Sequence, residues 1–316
     1  MKQRKDWIDA LRALAIVLVV LGHQIPEIIS YFVVTSPVKM PLFFAISGYL
    51  LTMKDTKTYY KKVLLTLIVP WLTLGLLPQL LMMPVKGIMP TLCYFENMLS
   101  GEVIWFMPCF IIASILFFHI YKWTRMSVVW GGVISLILFV IGIITYKHHI
   151  MDYGLINRAM AVQPFFYLGF LFKNREESLV LSSNPATIYT LAFLFIILVL
   201  MGFVLYPGDS IDIHVSRYYS YWLNGLQIIL GLLFMTLLFK KIDKYPKWLL
   251  EIGKSTLVIY IWHDYVIFAF RTLMAKTGIE IPLLIMAVVS SMVGVLVCCV
   301  LNRVVSKYAP FMVGNR

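Results

Sequence analysis

Apolar residues in this chain come in runs of about twenty, the length a helix needs to cross the hydrocarbon of a bilayer. Ten such runs stand out, over 7–24, 38–53, 62–83, 103–121, 127–146, 158–173, 186–205, 218–239, 256–272 and 282–304, the second and sixth being the shortest. They lack the every-other-residue alternation of barrel strands, and backbone groups in hydrocarbon must be satisfied within their own segment, so each run is predicted to be a helix. Polar connections fall at 85–102, 147–157, 174–185, 206–217 and 240–255. None is a low-complexity linker, and no internal repeat is evident. The pattern predicts one all-α domain over 1–316, a polytopic integral membrane bundle of about ten transmembrane helices.

Composition agrees with that solvent. Hydrophobic residues make up 61% of the chain and charged residues 13%, whereas a soluble domain carries about 25% charged residues. The charges are also unevenly placed. With the ten runs as spans, nineteen Lys and Arg fall on the side of the N-terminus, among them Lys2, Arg4, Lys5, Lys54, Lys240, Lys241 and Arg316. Seven, including Lys39, Lys147, Arg158, Arg217 and Arg271, fall on the other. The positive-inside rule therefore puts both termini in the cytoplasm. It also explains the net charge of +12 through the anionic cytoplasmic leaflet, with no nucleic-acid partner. Lys2, Arg4 and Lys5 ahead of an apolar core look like a secretory signal, but no small-residue cleavage site follows, and the run is expected to stay as the first helix.

Arg12 and His23 interrupt that first run, DALRALAIVLVVLGH. Ionisable side chains in hydrocarbon are costly and mark functional sites. Eleven residues make about three helical turns, so both project from one face, about 16 Å apart along the axis. Asp9 stands one turn from Arg12, at ion-pair spacing. The plain alternative is that Arg12 snorkels to the headgroups and His23 ends the helix at the interface. Further along, GKSTLVIYIWHDYVIF sets His263 near the middle of the ninth run, with Asp264 beside it and Tyr260 one turn before. An imidazole at that depth needs a hydrogen-bond partner.

Other signals are weaker. His119, His148, His149 and His214 are read as solvated, and His148, His149 and Asp152 make a poor metal set because adjacent histidines point apart. Cys93, Cys109, Cys298 and Cys299 form neither a C-x-x-C nor a disulfide framework, and no metal is expected. Nucleophile-elbow, phosphate-loop and H-E-x-x-H motifs are missing. Ser47-Gly48 is read as a close helix contact, and the aromatics and proline from Trp105 to Pro108 as the interfacial start of the fourth span.

The R-x10-H pattern from Arg12 to His23 resembles the opening signature of membrane-bound acyltransferase family 3. The likeness continues in PLFFAISGYLL at 41–51, YYKKVLLTLIVPW at 59–71, IWFMPCFI at 104–111, RAMAVQPFFYLGFLF at 158–172 and IGKSTLVIYIWH at 252–263. Short connections and the PFFYLG segment are most similar to the fucose 4-O-acetylase-like branch. The resemblance implies a ten-helix enzyme of the cell membrane that moves an acyl group, usually acetyl, from cytoplasmic acyl-CoA (acetyl-CoA) to a hydroxyl of an envelope glycan or lipid-linked sugar. Family functional residues map onto Arg12 and His23, and further onto Arg158 and His263. Where many members have arginines before the third span, this chain has Lys61 and Lys62, point charges without the guanidinium fork.

Acyl transfer to an alcohol needs a base and stabilisation of an oxyanion. His23 is the expected base, since imidazole titrates near neutral pH. Arg12, with Lys61 and Lys62, is expected to hold the phosphates of CoA, and His263, Tyr260 or Arg158 to meet the acceptor or oxyanion. The competing class is a proton-linked transporter or exporter, which intramembrane Arg, His, Asn224 and Gln227 also fit. A third is a non-catalytic sensor domain. Nothing in the pattern names the acceptor or an oligomeric state.

Overall fold

A computed structural model describes residues 5–25, 28–52, 55–148, 155–182, 184–213, 218 and 220–314. Lys2, Arg4, Lys54, His149, Asp152, His214, Arg217 and Arg316 lie outside the described residues. The described chain is helical and contains no strand. In order, the helices are α1 (Asp6–Gln24), α2 (Ile29–Leu50), α3 (Thr56–Val63), α4 (Val69–Lys86), α5 (Ile88–Ser100), α6 (Phe106–Trp123), α7 (Val128–Lys147) and α8 (Leu155–Ala161). Then come α9 (Gln163–Asn174), α10 (Glu176–Ser182), α11 (Pro185–Leu205), α12 (Tyr221–Lys241), α13 (Lys247–Lys254), α14 (Thr256–Lys276) and α15 (Leu283–Tyr308). A π-helical turn, Leu64–Ile68, joins α3 to α4.

Nine helical stretches among the described residues are long and apolar enough to cross a membrane: 30–50, 56–81, 106–123, 128–147, 155–174, 185–205, 221–241, 256–276 and 283–308. They take in nine of the ten expected spans. The first expected span coincides with α1, 19 residues long and bearing Asp9 and Arg12, which stands outside that set. The chain is a polytopic membrane bundle.

Local chemistry explains several boundaries. Asp55 accepts from the Thr58 amide to start α3, and Ser127 from the Trp130 amide to start α7. Asn184 and Thr187 form a reciprocal capping box ahead of α11, with Pro185 at its first position. Gly101, at φ 79°, closes α5 in the left-handed region that lacks a penalty only for glycine.

Three segments depart from the expected pattern. The second span starts at Ile29, nine residues earlier than the apolar run, because its polar residues find partners inside: Thr35 Oγ1 donates to the Tyr31 carbonyl, and the Lys39 ammonium sits 4.3 Å from the centre of the Phe32 ring. The connection at 85–102 contains α5. The connection at 240–255 contains α13, whose Gly253 lies against the backbone of Asp9, where an added Cβ would overlap the Asp9 carbonyl.

The chain forms two compact units. Unit 1 comprises 1–43, 175–212 and 218–303; unit 2 comprises 44–174, 213–217 and 304–316. In unit 1, α1 packs on α12, α13 and α14. In unit 2, Phe44 lies at the centre of an aromatic cluster, with ring centroids of Phe106, Phe166 and Phe110 at 5.3, 5.6 and 5.8 Å. Tyr59 stacks flat on Phe118 at 3.8 Å. Gly48 meets the Phe166 carbonyl and Gly169 meets the Ala45 carbonyl, two reciprocal contacts without room for any side chain.

Candidate active site

Within unit 1, α1 runs unbroken from Asp9 through Arg12 to His23, so the eleven-residue spacing is a true helical spacing of about 16 Å. At the inner end Asp9 is buried, and its carboxylate lies 3.6 Å from the Arg12 guanidinium, whose side chain is 31% exposed. Asp9 is 1% exposed, and its backbone packs against Gly253 of α13.

At the other end α1 meets α14. The imidazoles of His23 and His263 have centroids 5.1 Å apart, tilted by 60°. Asp264 stands between them: its Oδ2 is 3.6 Å from His23 Nδ1 and its Oδ1 is 3.3 Å from His263 Nε2. His263 is 2% exposed, whereas His23 and Asp264 are 50% and 59% exposed. One histidine is therefore anchored in protein and the other faces an accessible space. His263 Nδ1 is held by the carbonyls of Ile259 and Tyr260 at 2.8 and 3.1 Å. Tyr260 thus enters the cluster through its backbone.

Lys39 was not singled out by sequence pattern, yet its ammonium lies beside Gly22, the neighbour of His23. A Cβ built on Gly22 would come 3.2 Å from Lys39 Nζ. The carboxylate of Asp264 was equally unassigned. No spacing in sequence tells which face of α14 turns toward α1.

The remaining candidates belong to unit 2. Arg158, on α8, carries its guanidinium 5.9 Å from the Trp105 ring, and its buried Nε has no hydrogen-bond partner among the described residues. Lys61 and Lys62 are exposed in the last turn of α3. His119, read as solvated, is half-buried and shares a 2.8 Å hydrogen bond with the Tyr60 hydroxyl. Ser47-Gly48 is the close contact expected, made against Phe166.

With this geometry in view, the family model described as an acyltransferase domain matches residues 5–303, from just ahead of α1 to the last turns of α15. The chain belongs to the acyltransferase 3 family. Comparison with curated proteins found no match, and comparison with solved structures found none. This acyltransferase 3 protein is thus a multi-pass membrane acyltransferase, and the matched range takes in the His23, His263 and Asp264 cluster together with Arg12 and Arg158. The cluster brings together an accessible imidazole, a carboxylate and a second imidazole fixed by the backbone, groups able to take up and pass on a proton.

Proposed function

We propose that the protein is an O-acetyltransferase of the cell membrane, in the fucose 4-O-acetylase-like branch, that moves acetyl from cytoplasmic acetyl-CoA to a hydroxyl of an envelope glycan or lipid-linked sugar. The observation that carries this reading is His23, accessible at the end of α1 with Nδ1 directed at Asp264. Asp264 holds the Nδ1–H tautomer, leaving Nε2 free to take a proton, the role a carboxylate plays behind a catalytic imidazole. His23 Nε2 removes the acceptor hydroxyl proton as the oxygen attacks the thioester carbonyl. The tetrahedral intermediate then collapses, the C–S bond breaks, and the imidazolium returns the proton to the CoA thiolate. The bare Nε2 of His263 suits a hydroxyl donor, so it holds the acceptor and leaves oxyanion stabilisation to a cation. Arg12, at the cytoplasmic end, anchors donor phosphate, and the extended pantetheine arm spans the distance to His23. Arg158 follows from the family resemblance as an acceptor or oxyanion contact, and Lys61 and Lys62, which stand where many members have arginines, as phosphate contacts by charge alone.

Asn224 and Gln227, the polar pair that suits a permeation path, are engaged in helix packing instead. Asn224 donates to Gln227 Oε1 at 3.1 Å, and Gln227 donates to the Leu198 carbonyl on α11 at 2.8 Å. They tie α12 to α11.

The test is transfer of radiolabel from acetyl-CoA to an envelope fraction, with glycan from producing and deletion strains compared by mass spectrometry for the mass of one acetyl group. His23→Ala is expected to lose about 10²–10⁴-fold in transfer while inserting normally. Appreciable transfer by that variant would remove His23 as the base. Arg12→Ala should bind acetyl-CoA more weakly in detergent, and unchanged affinity would end its role as the donor anchor.

A further inference from the structure

Hydrogen bonding fixes where the proton of His263 sits. Its Nδ1 is paired with the carbonyls of Ile259 and Tyr260, and carbonyl oxygens only accept, so Nδ1 carries the hydrogen and the neutral ring presents a lone pair at Nε2. That Nε2 is buried without a hydrogen-bond partner. It nevertheless faces Asp264 Oδ1 at 3.3 Å, so two lone-pair-bearing atoms confront each other with no hydrogen between them. His23 adds a third donor, and one ligand atom from each of the three residues lies within 4.8 Å of the other two. Such an arrangement is repulsive alone and is relieved by a positive centre.

We propose that His23, His263 and Asp264 bind a divalent transition-metal ion of the zinc type, and that the bound ion blocks acyl transfer by taking the His263 Nε2 lone pair and the Asp264 carboxylate that orients His23. Only the blocking rests on the function proposed above. Two imidazoles and one carboxylate suit zinc or cobalt and not the oxygen-seeking magnesium or calcium ions. A tetrahedral zinc needs ligand atoms roughly 3.4 Å apart. The His263 to Asp264 separation of 3.3 Å meets that requirement already. Closing the third distance falls to His23, half of whose side chain is exposed. The anchored ring has the arrangement of a metal ligand: a histidine that binds metal through one nitrogen donates its other N–H to a backbone carbonyl or carboxylate, as His263 does.

Full-length protein in detergent, titrated with Co²⁺, is expected to develop visible d–d absorption saturating at one ion per chain. His263→Ala and the isosteric Asp264→Asn should each weaken binding by about tenfold or more, whereas His119→Ala should leave it unchanged. Gel filtration identifies which variants are folded, and Asp264→Asn decides if His263→Ala is not. Absence of Co²⁺ absorption in the parent protein, or equal affinity in Asp264→Asn, overturns the site. In the transfer assay Zn²⁺ should inhibit and EDTA should restore activity. Transfer indifferent to Zn²⁺, or abolished by EDTA, overturns the blocking role. A protein that transfers no acetyl yet binds Co²⁺ through these residues refutes the proposed reaction and leaves the metal site standing.

Discussion

The side chains withdrawn from the surface of unit 1 include Asp9, Asn224, Gln227 and His263, whereas the largest ones withdrawn in unit 2 are Phe44, Phe117, Phe118, Tyr121, Phe166 and Phe170. Unit 2 also buries Gln163, whose NH2 donates to the carbonyls of Ala113 and Ala159 while its Oε1 is buried without a hydrogen-bond partner among the described residues. In unit 1 the buried polar groups at His263 and Asp9 meet partly exposed partners, His23 with Asp264 and Arg12 respectively. A polar group held rigid on one side and accessible on the other is what a reactive site needs. A cluster of interlocking rings is what a scaffold needs. Removal of a ring from the unit 2 aromatic cluster should therefore cost fold, and removal from the unit 1 cluster should cost chemistry.

The sharpest way to break that contrast is Gly169→Val in unit 2. Its added carbons would collide with the Ala45 backbone, which cannot rotate aside, so little folded protein should elute in detergent gel filtration. A monodisperse Gly169→Val protein would show that the helix contact is loose. Next in size, Phe44→Ala should lower stability by about 3–5 kcal/mol, as judged by thermal unfolding, with transfer per folded molecule unchanged. Asp264→Asn should behave the opposite way, melting as the parent does while transfer falls by about tenfold or more, because the His23 tautomer is no longer enforced. If it lowers the melting temperature and spares transfer, unit 1 is a scaffold as well.

The smallest effect lies at Glu251, which the Arg303 guanidinium grips through both carboxylate oxygens. That pairing holds the Glu251 carboxyl below its ordinary value of 4.5. A carboxylate with a depressed folded value contributes stability above its unfolded value and loses it as pH falls through the folded one. Glu251→Gln should therefore slightly lower the melting temperature near neutrality and flatten its decline below about pH 4.5, where the parent loses the pair. Parallel melting curves of the two proteins across that acid range would show the pair to be inert.

Much of this was legible because a single helix carries it. Arg12 and His23 are related by helical spacing alone, and the depth of His263 follows from its place in a long apolar run. Ser47-Gly48 was legible as packing because small residues in a membrane helix have few other uses. Contacts between distant helices were not legible: Asp264 reaches His23 only because α14 presents one particular face to α1, and no spacing in the sequence sets Lys39 beside Gly22. The start of α2 was hidden by Thr35, Ser36 and Pro37, two polar residues and a helix breaker just ahead of the apolar run. In the fold Ser36 is buried, the Thr35 hydroxyl bonds the preceding turn, and the Lys39 ammonium lies on a ring face. Amphipathic α5 and α13 were hidden because their length and polarity match those of loops.

The paired contacts of Gly48 with Phe166 and of Gly169 with Ala45 have a consequence for natural variation. Among relatives that keep this helix crossing, both glycines must persist through any change of donor or acceptor, since the constraint comes from backbone sitting directly on backbone. They will look as invariant as a catalytic histidine. What separates them is the kind of replacement survived: His23 can be lost from a folded but inactive descendant, whereas a descendant without Gly48 or Gly169 must first pull two helices apart.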